Sequence, residues 1–219
     1  CPMAHMVTKE EVEQYRREYP DLAVVCYINS TAEIKSWSDV CVTSANAVQI
    51  VRNLPNQDIL FIPDKNLGRY VASQVPEKHV MLVKGCCPVH DQMSQKEVSG
   101  LKKIHPNALV LAHPECNAQV LEMADYIGST TGILKFAAGS TSREFIICTE
   151  NGVRHELERQ NPGKHFYFPD TEPICRDMKK ITLDKIIHVL RTGQNQASVL
   201  KAYVPSAGRA LEQMLNLAR

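Results

Sequence analysis

Apolar residues in this chain fall into short runs separated by polar stretches that carry capping and turn signals. The runs at 22–28, 59–62, 108–112 and 145–148 are each long enough for one buried strand. Ahead of the first and third runs stand Thr8…Glu11 and Ser94…Glu97. Both read as capping boxes, in which the hydroxyl accepts an orphan backbone N–H and the glutamate reaches back. Helices over 9–18 and 95–104 follow. Each stops ahead of Pro20 or Pro106, because the residue before a proline disfavours helix. After the first strand come a polar turn and a helix, at 31–36 and again at 117–124. A short strand then leads to Thr43-Ser44-Ala45-Asn46 or Ser129-Thr130-Thr131-Gly132, which opens another helix. A third strand, 58–62 or 144–148, ends at Pro63-Asp64 or Thr149-Glu150. Strands alternating with helices predict an α/β chain with small parallel sheets covered on both faces.

The two halves share one pattern. A shift of 86 positions carries Cys1-Pro2 onto Cys87-Pro88, Tyr19-Pro20 onto His105-Pro106, and Asp39 onto Asp125. The same shift carries Ser44 onto Thr130, and Pro76, Lys78 and His79 onto Pro162, Lys164 and His165. This predicts repeated three-layer αβα domains, one over 1–84 and one over 85–174. A third unit opens and does not continue: Cys175 precedes Thr182 as Cys1 precedes Thr8 and Cys87 precedes Ser94. After a helix-like stretch at 183–190, only a linker and an amphipathic segment at 207–218 remain. The chain also begins with Cys1 rather than methionine. Together these predict two of three domains in a pseudo-threefold arrangement, with residues 175–219 packing on a missing N-terminal domain.

Composition removes several classes. The 25 basic and 24 acidic residues nearly cancel, with no basic run, which argues against nucleic acid as a partner. No apolar run approaches the length that spans a membrane, and no signal peptide opens the chain. The eight cysteines therefore read as thiols rather than as a disulfide framework. Three of them, Cys1, Cys87 and Cys175, sit at equivalent positions, each in a loop entering a helix. Such positions converge if the domains pack around a common axis. Three converging thiolates suit an Fe–S cluster or zinc, and ordinary buried cysteine is the alternative. His113 and Glu115 end a strand, where ligands of α/β folds bind, and the shift superposes them on Tyr27 and Asn29. Ser44 and Thr130 read as helix N-caps whose hydroxyls and neighbouring N–H groups suit carboxylate or phosphate. Asp64-Lys65-Asn66 reads as a turn, and His79 and His165 as solvated loop residues.

Several motifs, in order along nearly the whole chain, resemble the quinolinate synthase family. They are Tyr27-Ile28-Asn29-Ser30, Thr43-Ser44-Ala45-Asn46-Ala47, Pro63-Asp64-Lys65-Asn66-Leu67-Gly68 and Gly85-Cys86-Cys87-Pro88-Val89-His90, followed by His113-Pro114-Glu115-Cys116, Gly128-Ser129-Thr130 and Cys175-Arg176-Asp177-Met178. The resemblance implies three αβα domains around a [4Fe–4S] cluster held by Cys1, Cys87 and Cys175, with one iron left open as a Lewis acid. Neither Cys86 nor Cys116 is a ligand by this resemblance. It implies condensation of iminoaspartate with dihydroxyacetone phosphate to quinolinate, a cytoplasmic step of NAD biosynthesis. A functional link to L-aspartate oxidase or aspartate dehydrogenase follows. Substrate would meet Tyr27, Ile28, Asn29, Ser44, His113, Pro114, Glu115 and Thr130. Glu115 is the expected general acid/base, with His113 and Tyr27 as proton-transferring partners and His90 near the metal. Residues 1–219 alone are expected to turn over negligibly. The rival expectation is an α/β binding module holding zinc or no metal.

Overall fold

The computed structural model describes residues 1–171 and 173–218. It contains two all-parallel four-stranded sheets with helices packed against them. The first unit runs α1 (Lys9–Glu18), β1 (Ala23–Tyr27), α2 (Ala32–Ser36), β2 (Val40–Val42), α3 (Ala47–Asn53), β3 (Asp58–Ile62), α4 (Lys65–Gln74) and β4 (His79–Leu82). The second runs α5 (Pro88–Asp91), α6 (Gln95–Ile104), β5 (Leu109–Ala112), α7 (Ala118–Leu121), β6 (Tyr126–Ile127), α8 (Thr130–Gly139), β7 (Glu144–Cys148), α9 (Arg154–Gln160) and β8 (His165–Tyr167). Then come α10 (Leu183–Thr192) and α11 (Val204–Leu217).

The strand orders are β2-β1-β3-β4 and β6-β5-β7-β8. The 86-residue shift holds at the level of single pairs. Cys26 lies opposite Cys41 as Ala112 lies opposite Ile127, and Ala23 opposite Ile59 as Leu109 opposite Phe145. Asp58 faces His79 as Glu144 faces His165. Polar clasps repeat as well. Asp39 accepts the Val24 N–H at 2.7 Å, and Asp125 that of Val110 at 2.8 Å, pinning the start of each central strand to the next one. Strands β1, β3, β5 and β7 are buried almost throughout, as two-sided coverage requires.

Three expectations need correction. Each sheet has a fourth, edge strand, β4 and β8. His79 and His165 open these strands rather than lying in loops, although both remain exposed. Only the Thr8 cap is reciprocal: Ser94 accepts the Glu97 N–H, but the Glu97 carboxylate takes the Thr171 hydroxyl instead. Helix α7 ends at Leu121 because the chain then tightens, Met123 and Ala124 donating to carbonyls three residues back. Helix α11 is attached to the first unit. It packs on α2, β2 and α3, with Met214, Leu217 and Ala218 against the first unit's core. The Asn53 amide also donates to the Leu217 carbonyl at 2.9 Å. By contrast α10 is exposed along its length, including Leu183, Ile186 and Leu190.

Candidate active site

The ends of β1, β3, β5 and β7 bring a polar group together between the two units. β5 delivers His113 and Glu115, both buried, and β1 delivers Tyr27, 7% exposed. Helix α5, capped by Cys87 and started by Pro88, turns buried His90 toward them. Thr149, just past β7, closes the far side.

His90 is the hinge of this group. Its Nδ1 lies 2.9 Å from Glu115 Oε2 and 3.1 Å from Cys87 Sγ, and its Nε2 lies 3.1 Å from Thr149 Oγ1. A carboxylate beside Nδ1 fixes the proton there, so Nε2 accepts from the Thr149 hydroxyl when the ring is neutral. The ring stacks on His113 with centroids 4.6 Å apart. His113 has the opposite tautomer. Its Nδ1 accepts the Glu115 backbone N–H at 3.3 Å, leaving Nε2–H to donate to Ser44 Oγ at 3.2 Å. Burial drops the His113 pKa to about 4, so the ring is neutral near pH 7. Glu115 behaves differently. Burial opposes its charge, but the His90 hydrogen bond and the charges of His113 and His90 outweigh it, and its pKa falls to about 2. Burial and the Glu115 carboxylate in turn raise the Tyr27 phenol, which stays protonated. The same two causes push the Cys87 thiol up to about 12 and Asp64 up to about 6.

The structure brings together Tyr27, Ser44, Cys87, His90, His113 and Glu115. Ile28 is tied to the neighbouring strand through its N–H to the Val42 carbonyl, and Pro114 is buried beside Glu115. Asn29 and Thr130 are exposed. Neither Ser44 nor Thr130 is an N-cap: Asn46 precedes α3, and Ser129 caps α8 by accepting the Gly132 N–H. A cleft of about 410 Å³ lies beside the cluster, lined by Ser44, Tyr70, Tyr126, Ser129 and Lys135 among others. It shares only Ser44 with the buried group, so an anion bound there would touch the cluster from its Ser44 side.

Asp64 and Asn66 are not a plain turn. Asp64 is fully buried and caps α4, and the buried Asn66 amide bridges Asp91 Oδ1 at 2.7 Å and the Glu115 carbonyl at 3.1 Å. Sequence reasoning missed both, as well as Thr149. The available signal was that the shift carries Asp64 onto a second acid, Glu150.

All eight cysteines are free thiols. Cys26, Cys41, Cys116 and Cys148 are buried packing residues. Among the described residues, Cys87, His90 and Glu115 form one group able to hold a metal ion, their donor atoms lying within 4.8 Å of one another. Met6, just past the Cys1 turn, packs against Gly85, where a Cβ would lie 3.0 Å from that of Met6.

The model of the NadA family, described as quinolinate synthetase A protein, matches residues 1–216. A quinolinate synthase of Caldicellulosiruptor bescii is 48% identical over 217 residues, covering 99% of this chain and 72% of the relative. One from Fusobacterium nucleatum is 49% identical over 218 residues, covering all of this chain and 72% of the relative. That of Aquifex aeolicus is 42% identical over 223 residues, covering 69% of the relative. The relatives thus carry the name of an enzyme. The chain belongs to the quinolinate synthase family.

Proposed function

We propose that the chain supplies two of the three domains of an enzyme that forms quinolinate by condensing iminoaspartate with dihydroxyacetone phosphate, with loss of phosphate and water, residues 1–219 alone turning over negligibly. In this reading it works in the cytoplasm beside an L-aspartate oxidase or aspartate dehydrogenase that supplies the imine. The observation that carries the reading is the buried relay from Cys87 through His90 to Glu115, flanked by Tyr27 and His113, in a chain of this family.

Cys1, Cys87 and Cys175 would hold a [4Fe–4S] cluster. Their chemistry fits. All three are soft donors, and each opens a helical turn through its own carbonyl, which accepts from Ala4 at 3.1 Å, Asp91 at 2.9 Å and Lys179 at 3.2 Å respectively. Cys87 is a half-buried sulfur beside a carboxylate, an environment that disfavours a thiolate unless a cation compensates it. Such a cluster, bound by three thiolates, supplies an open iron as a Lewis acid.

The protein groups divide the remaining work. Glu115, held ionised by His90, is the proton acceptor. Entry of anionic substrate beside it raises its proton affinity. Tyr27, kept protonated by Glu115, is a donor and not a base. His113 Nε2–H and the Ser44 hydroxyl orient a substrate carboxylate or carbonyl. Asn29 and Thr130, both exposed, complete the anion contacts, with the Ile28 and Pro114 backbones shaping the wall.

A single-ion reading rests on Cys87, His90 and Glu115. Against it, the 2.9 Å hydrogen bond between His90 and Glu115 already satisfies two of the three donors. Anaerobic reconstitution with iron and sulfide separates the two readings. The expected product is brown, holds about four irons per chain, and loses them in Cys1→Ser, Cys87→Ser and Cys175→Ser variants. It binds quinolinate, and Tyr27→Phe and Ser44→Ala each weaken that binding roughly tenfold. A colourless protein holding one zinc that depends on His90 but not on Cys1 or Cys175 would reject the proposal.

A further inference from the structure

Two carboxylates treat the cysteine turns in the same way. Asp64 follows β3 and Glu150 follows β7, at positions related by the 86-residue shift. One oxygen of each fixes the acid to its own unit. Asp64 Oδ1 accepts the N–H groups of Asn66 and Leu67, both at 2.8 Å. Glu150 Oε2 accepts the Gly152 N–H at 2.7 Å. The other oxygen crosses to a cysteine. Asp64 Oδ2 accepts the Cys87 N–H at 2.8 Å, and Glu150 Oε1 accepts the Cys175 N–H at 3.1 Å.

An ordinary cap uses one oxygen and leaves the other to water. Here Asp64 is wholly buried, and the Glu150 side chain is 11% exposed with Lys179 Nζ at 3.1 Å. Burying a carboxylate is costly unless its lone pairs are used. The two acids differ in length, yet each spends its second oxygen on the amide of a cysteine expected to bind metal. Capping alone does not require that coincidence. The hydrogen bond fixes the direction in which the Cα–Cβ bond leaves each turn, and so fixes the sulfur. It also sets a formal negative charge one residue from the metal group.

We propose that Asp64 and Glu150 are positioning residues for the Cys87 and Cys175 sulfurs and that their charge lowers the reduction potential of the bound cluster. The proposal rests on the reading of these cysteines as cluster ligands. Charge and hydrogen bonding around a cluster are known levers on its potential, and partners of this outer kind are typically worth about 10–100-fold in metal affinity.

The test compares wild type with Asp64→Asn and Glu150→Gln after anaerobic reconstitution with iron and sulfide. An amide side chain keeps the capping oxygen but turns a neutral NH₂ toward the cysteine N–H. The readouts are the rate of iron release to a chelator and the midpoint potential from an optical or spin-resonance titration, with circular dichroism as the check on folding. Expected are roughly tenfold faster release and a potential shifted upward in both variants, with restoration toward wild type in Asp64→Glu. Release at the wild-type rate, or faster release at an unshifted potential, overturns the proposal. Should Asp64→Asn not fold, Glu150→Gln decides alone, since its acid sits at a more open position. Cys87→Ser and Cys175→Ser run alongside. If they lose iron while the amide variants match wild type, the positioning role fails and the cluster reading stands. If they keep full iron, the cluster reading itself fails.

Discussion

His113 shows how a residue whose position was legible acquires properties that were not. Its place two residues before Glu115 is a matter of sequence; its neutrality is a matter of burial. The unfolded chain protonates this ring near the ordinary value of 6.5 and the folded chain near 4. Between those values unfolding takes up a proton. Stability attributable to His113 is therefore complete above about pH 6.5 and is lost as pH falls toward 4. A His113→Asn variant should lose about 2 kcal/mol less stability than wild type between pH 7 and pH 5. Urea midpoints at the two pH values measure this, and equal losses in both proteins would contradict it. Glu115 does not confuse the measurement, because its own protonation belongs below its ordinary 4.5. The opposite tautomers of His90 and His113 follow from one local bond, the Glu115 N–H on His113, and from three partners far along the chain, Glu115 and Thr149 on His90 and Ser44 on His113. No spacing rule could have supplied them.

The elements divide along a similar line. Helices at 9–18 and 95–104 and strands at 58–62 and 144–148 fall where capping and apolar runs put them, because their signals are local. Strands β4 and β8 were not legible. They are short, begin with an exposed histidine, and owe their extended form to pairing with β3 and β7. Helix α4 was missed because Asp64 looked like a turn residue, and the same side chain serves turns and N-caps equally. Its glycine has a packing purpose: a Cβ on Gly68 would stand 2.5 Å from Leu82 Cδ2 and 2.9 Å from the Phe61 ring. Phe61 is fully buried and cannot withdraw. Gly68→Ala should therefore destabilise by about 1–3 kcal/mol despite alanine's better helix propensity. A thermal melt reads the sign directly, and a stabilised variant would show that α4 can lift off the sheet. Lys78 and Lys164 repeat another device, each ammonium taking two carbonyls, Leu54 and Asn56 in one unit and Ala137 and Ser140 in the other.

In the whole molecule, the two units repeat one topology pair for pair, and α11 attaches to only one of them. Met214 and Leu217 pack with the cluster that contains Met3, Val40 and Val42. Ending the chain before Val204 should raise hydrogen exchange in β2 and α3 by about tenfold or more, since it uncovers apolar surface there. β5 and β7 should keep their protection. Equal loss in both sheets would mean that the units unfold together. The α/β class, the repeat and the register of the shift were legible in the sequence, because capping and periodicity are carried by neighbours along the chain. Tertiary structure alone decided which edge α11 covers, which carboxylate is ionised, which nitrogen of each histidine carries its proton, and that Asp64 and Glu150 reach the amides of Cys87 and Cys175. Those depend on burial and on partners more than 20 residues away along the chain, distances at which only the packed chain sets what touches what.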